Sequence, residues 1–259
     1  MTKRLQNITS KLAPLASLAV IVGIWFFASS GDDRLVPSYM LPSPVKVFQA
    51  FVKDIDLLLM HAKVTLQEAL YGLLIGIVLA FFLAVIMDRF SFMYKAVYPV
   101  LIITQTIPTI AIAPLLVLWM GFSMAPKITL VVITTFFPIT ISLLDGFRSA
   151  DEDSMNLIRS MGGSRMTVFR YIKMPSALSS FFSGLKVSAS YAVVGAVISE
   201  WLGGFEGLGV YMTRVRKAYA FDKMFAVIIF ISVISLLLML LISLLKKLCM
   251  PWENVKNQK

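Results

Sequence analysis

Residues 69–87 read ALYGLLIGIVLAFFLAVIM, an uncharged run closed by Glu68 on one side and Asp88-Arg89 on the other. A helix rises 1.5 Å per residue, so about 20 apolar residues cross a hydrocarbon core roughly 30 Å thick. Further uncharged runs lie at 12–31, 96–126, 128–144 and 224–245. A shorter one, 187–199, reaches full length if its helix begins near Phe181 and Lys186 snorkels from the inner end. The expected fold class is all-α: a polytopic membrane protein with six transmembrane helices, at about 12–31, 66–88, 97–120, 127–145, 181–200 and 224–246. By region, 1–60 holds the anchor helix and an outer amphipathic segment, 61–245 the transmembrane domain, and 246–259 a basic cytoplasmic tail.

Composition excludes the soluble classes. Of 259 residues, 58% are hydrophobic and only 15% charged, where a soluble domain carries about a quarter. The mean hydropathy is +0.84. One cysteine, Cys249, cannot form an intrachain disulfide, so nothing reports an oxidising compartment. The net charge of +10 flanks the apolar runs, as membrane insertion requires, and no nucleic-acid partner is expected. The first run reads as a retained anchor, because Ala28-Ser29-Ser30 makes a poor cleavage site.

Lysine and arginine orient the bundle. With both termini cytoplasmic, the inner segments hold Lys3, Arg4, Lys11, Arg89, Lys95, Arg148, Arg159, Arg165, Arg170, Lys173, Lys186, Lys246, Lys247, Lys256 and Lys259, which is 15 of 24. The expected location is the cell membrane of a prokaryote.

Outside the membrane, Val45–Lys63 alternates apolar and charged residues at helical spacing and reads as one interfacial helix. The largest inner loop, 146–180, has a capping box at Ser149-Ala150-Asp151-Glu152, a short helix stopped by Gly162-Gly163, and a second helix capped by Ser164 and ended by Pro175. Two short amphipathic helices at a glycine elbow suit docking as well as simple packing. In the outer loop 200–223, Gly203, Gly204, Gly207 and Gly209 suit a tight re-entry or a gate; no strand precedes them, so they are no dinucleotide fingerprint.

No G-x-x-x-x-G-K-[ST] sequence is present, so the chain cannot cradle ATP phosphates itself and needs no cofactor of its own. The lone histidine, His61, has no metal-ligand partners nearby in sequence, and no nucleophilic constellation appears, so an enzyme is not expected. Glu68, Asp88, Asp145 and Glu200 fall at span ends, which argues against an intramembrane proton relay. Gln105 and Thr106 sit beside Pro108, where proline frees backbone carbonyls; such irregular backbone is tolerated where it lines a cavity or is buried. Gln105, Thr106, Pro108 and Tyr191 are therefore the candidates for a translocation path.

The inner loop resembles the coupling signature of binding-protein-dependent ABC importer permeases, E-A-A-x-x-x-G followed nine residues later by I-x-L-P. Here Gly162, Ile172 and Met174-Pro175 match, while the triplet reads Asn156-Leu157-Ile158. Leu41-Pro42-Ser43-Pro44, Gln105-Thr106-Ile107-Pro108 through Ala113-Pro114-Leu115, and Phe137-Pro138 are similar to the nitrate, sulfonate and taurine branch, which includes permeases for thiamine-precursor pyrimidines. The resemblance implies a type I importer fold. It also implies a second permease subunit, two cytoplasmic ATPases that bind the ATP, and an external binding protein. Asn156, Leu157, Ile158, Gly162, Gly163, Ile172 and Pro175 would carry the ATPase-coupling role. The substrate it favours is a thiamine-precursor pyrimidine, with sulfonate, taurine or nitrate as the alternative. A stand-alone secondary carrier or channel is the competing class.

Overall fold

The computed structural model describes residues 3–29, 37 and 40–252, and among these every regular element is helical. In chain order they are α1 (Lys3–Ser29), α2 (Pro44–Lys53), α3 (Ile55–Arg89), α4 (Ser91–Thr106), α5 (Thr109–Met120), α6 (Met124–Arg148), α7 (Glu152–Ser160), α8 (Arg165–Val168), a π-helical turn (Phe169–Lys173), α9 (Met174–Leu202), α10 (Leu208–Lys217) and α11 (Phe221–Cys249). The side chains of Lys3, Arg4 and Lys11, and the tail residues Lys256 and Lys259 used to orient the termini, lie outside the described residues.

Four helices are long and apolar enough to cross a membrane, at Ile55–Arg89, Met124–Arg148, Arg165–Leu202 and Phe221–Cys249. The pair α4 and α5 makes a fifth if counted as one span. The first of the six expected spans is represented by a shorter apolar stretch, Ala16–Ser29. Of the three prolines in the third span, Pro99 and Pro114 lie within helices and only Pro108 breaks the chain. Ile107 is extended at ψ 120, the conformation favoured for a residue before proline, and the two halves meet at 97°.

The chain forms two compact units. Unit 1 comprises Met1–Leu59 with Tyr211–Phe230. Here the expected interfacial helix over 45–63 is corrected: it stops at Lys53, and the residues from Ile55 belong to the 35-residue α3. Asp54 makes the break. Its backbone closes α2 onto Ala50, and its carboxylate accepts from Lys223 Nζ and Tyr211 Oη, both at 2.7 Å. Burial alone would raise that carboxyl's pKa, but the ammonium and the phenol outweigh it and hold it below its usual value. Trp25 donates to the Pro42 carbonyl at 3.1 Å and stacks on Phe225, anchoring the Leu-Pro-Ser-Pro segment.

Unit 2 comprises Met60–Val210 with Ile231–Lys259. Its spine is α6 packed along α9, with α5 against both. Gly72 and Gly76 of α3 face Val131 and Thr135 of α6 so closely that a Cβ on either would overlap them. Across α6, Gly184 of α9 lies on Ser142 and the Pro138 carbonyl. Helices in lipid associate through this kind of close packing, because no hydrophobic force distinguishes a partner helix from acyl chains.

Two readings of the inner loop are corrected. Asp151, not Ser149, caps α7, its carboxylate accepting from Ser154 N at 2.8 Å; Ser149 ends α6 instead. Pro175 ends nothing. It occupies the first turn of α9, where its missing N–H is tolerated, and the helix runs on from α8 through the π-helical turn.

Candidate functional site

Three groups of residues, all within unit 2, are candidates for the functional site. The first is the elbow after α6. Met161 closes α7, and Gly162 then adopts φ 82, the left-handed geometry that an L-residue resists. Gly162 N donates to Arg159 O and Gly163 N to Ile158 O, satisfying the helix's last carbonyls. Gly163 matters differently: its φ is ordinary, but a Cβ there would overlap the Ile158 side chain. Ser164 caps α8 by accepting from Thr167 N. The result presents Asn156, Leu157, Met161 and Met166 to the exterior, with Ile158 and Ile172 half-buried and Pro175 exposed. Lys173 Nζ bonds both oxygens of Asp88, at 2.6 and 2.9 Å, and ties the π-helical turn to the end of α3.

The second group is the proline break. Gln105, Thr106 and Pro108 are exposed, and Thr106 Oγ1 turns back to donate to Ile103 O at 2.8 Å. Tyr191 stands half-exposed on α9. The elbow residues thus come together as one feature and the break residues as another; Tyr191 belongs to a separate helix.

The third group was not anticipated. His61, Thr65, Glu68, Lys127 and Glu200 are all buried. Glu200 Oε1 accepts from Thr65 Oγ1 at 2.7 Å and Oε2 from Gly209 N at 2.6 Å. Leu208 N donates to Thr65 Oγ1 at 2.8 Å, and Gly207 N to His61 Nδ1 at 3.0 Å. Lys127 Nζ donates to Glu68 Oε1 at 2.7 Å, while Glu68 Oε2 accepts no hydrogen bond among the described residues. The glycine loop is therefore clamped onto α3 and α9: a Cβ at Gly207 would run into the Glu200 carboxyl. Glu68 and Glu200 do close their spans' apolar runs, yet both point into protein. His61, Thr65 and Glu68 recur at i, i+4 and i+7, and Gly72 and Gly76 continue the same stripe. That periodicity was the available signal.

A family model described as binding-protein-dependent transport system inner membrane component matches residues 72–250. The "Probable ABC transporter permease protein" of Haemophilus influenzae is 38% identical over 227 residues, covering 88% of this chain and 92% of that protein. A formylaminopyrimidine transport permease protein of Halalkalibacterium halodurans is 34% identical over 245 residues, covering 94% and 96%. Among solved structures, an amino acid ABC transporter superposes with a TM-score of 0.62 at 18% identity, over 78% of this chain and 96% of that one. This last likeness bears on the fold alone.

Proposed function

Because the chain belongs to the binding-protein-dependent transport system inner membrane components, as an ABC importer permease subunit, we propose that it forms the path for a thiamine-precursor pyrimidine. The observation that carries the substrate is the similarity, over nearly the whole chain, to the formylaminopyrimidine permease. The residues agree with it in kind. No lysine or arginine occurs from 96 to 120, so the segment around the break offers no counter-charge for sulfonate, taurine or nitrate. The Tyr191 ring offers a planar heterocycle a face to stack on.

In this reading two copies of the chain enclose the path, lined by Gln105, Thr106 and Tyr191 and opened by the bend at Pro108. Each elbow, 146–180, seats on a cytoplasmic ATPase through Leu157, Met161 and Met166, and an external binding protein delivers the solute. Both termini lie in the cytoplasm. A buried glutamine amide without partners costs several kcal/mol, on the order of a lost hydrogen bond or more, so an exposed Gln105 at membrane depth must meet a hydrated cavity or a second helix.

The test is uptake by proteoliposomes holding the chain, its cognate ATPases and its binding protein. ATP-dependent uptake of a labelled aminopyrimidine is expected, and Gln105→Leu lowers it severalfold with assembly intact. Uptake of taurine or nitrate instead would overturn the substrate. Loss of assembly in Gln105→Leu would make that residue structural.

A further inference from the structure

A groove of about 790 Å³ lies between the last turn of α3 and the elbow. Val85, Val168 and Phe169 give it an apolar wall. Lys173 in the groove is already paired with Asp88, so the surplus charge belongs to Arg89, Arg159 and Arg165. These three arginines are exposed and form no salt bridge among the described residues. Among the described residues, Arg159 meets the neutral Asn156 amide at 3.0 Å and Arg89 the Phe90 ring. Along α3, the exposed residues Phe82 and Ile86 precede Arg89 at i, i+4 and i+7, so an apolar track leads up one helix face to a guanidinium.

We propose that this groove holds one anionic glycerophospholipid, its phosphate against Arg89 and Arg165 and an acyl chain along Phe82 and Ile86. A cationic rim over an apolar wall, at the end of a membrane span, fits an amphiphile with a net negative head. An acidic patch of the ATPase would match the charge but leave the apolar track on α3 unused. The proposal rests on the cytoplasmic placement of the elbow given above. That placement is tested separately, by labelling, so the two can fail independently.

Native mass spectrometry of the full-length chain, extracted from vesicles of phosphatidylglycerol and phosphatidylcholine, tests it. One phosphatidylglycerol is expected to be retained over phosphatidylcholine, and excess inorganic phosphate should not displace it. At about a fivefold loss per arginine charge removed, the double variant Arg89→Gln/Arg165→Gln retains roughly thirtyfold less. Lys247→Gln, an exposed basic residue at the end of α11, retains the wild-type amount. If the double variant extracts poorly, Arg165→Gln alone should still lose about fivefold, since its side chain is exposed and the change removes one charge only. Equal retention of both lipids, displacement by phosphate, or an undiminished signal in Arg165→Gln would overturn the site. Loss of the lipid when the cognate ATPases are co-purified would assign the groove to the ATPase instead.

Discussion

Lys127 Nζ lies 2.7 Å from Glu68 Oε1, with 6% of the residue exposed. Removing one partner of a buried pair strands the other's charge, which typically costs about 3–5 kcal/mol, whereas replacing both with apolar groups is often neutral. Lys127→Met should therefore lower the thermal stability of the detergent-solubilised chain sharply, and Lys127→Met/Glu68→Leu should recover most of the loss. An unchanged midpoint in the single variant would show that the pair contributes nothing. From the sequence alone, Glu68 and Glu200 read as acids at span ends. Whether such an acid faces water or protein depends on Lys127, 59 positions from Glu68, and on a glycine loop whose Leu208 lies 143 positions from Thr65. Spacing along one helix supplies the face and leaves its partner unnamed.

The helices divide according to how local their causes are. The break at Pro108 was legible because proline acts on its own backbone and on the residue before it. Pro99 and Pro114 carry the same chemistry without breaking their helices, so residue type marks candidate sites only. The stop at Asp54 was missed because it depends on Lys223 and Tyr211, far along the chain. The elbow was legible as glycine, but its two glycines do different work. Gly162→Ala forces a side chain into the left-handed region, at a cost of about 1–2 kcal/mol, while Gly163→Ala collides with Ile158 at ordinary φ. Either change should still allow insertion, since no span is touched, and should reduce both the stimulation of the ATPases and transport. Wild-type stimulation in both variants would remove the elbow from the coupling role.

Six spans were anticipated over the molecule as a whole; five are matched in length by the described helices when the bent pair counts as one, and α1 supplies a shorter apolar stretch. Orientation depends on charge asymmetry. On a background lacking Cys249, a cysteine at Asp151 should be labelled only from the cytoplasmic side and one at Glu206 only from outside; the reverse pattern would invert the molecule. The continuous rod Arg165–Leu202 has 38 residues and, at 1.5 Å each, is roughly 57 Å long. It begins in the elbow and ends two residues past Glu200, so one helix joins the elbow to the buried carboxylate cluster. A tilt of about 5° about one end carries the other ~5 Å, well beyond the reach of the 2.6 Å bond between Gly209 and Glu200. A displacement at the elbow end must therefore either loosen the glycine loop from Glu200 or be taken up along the helix before it reaches Leu202.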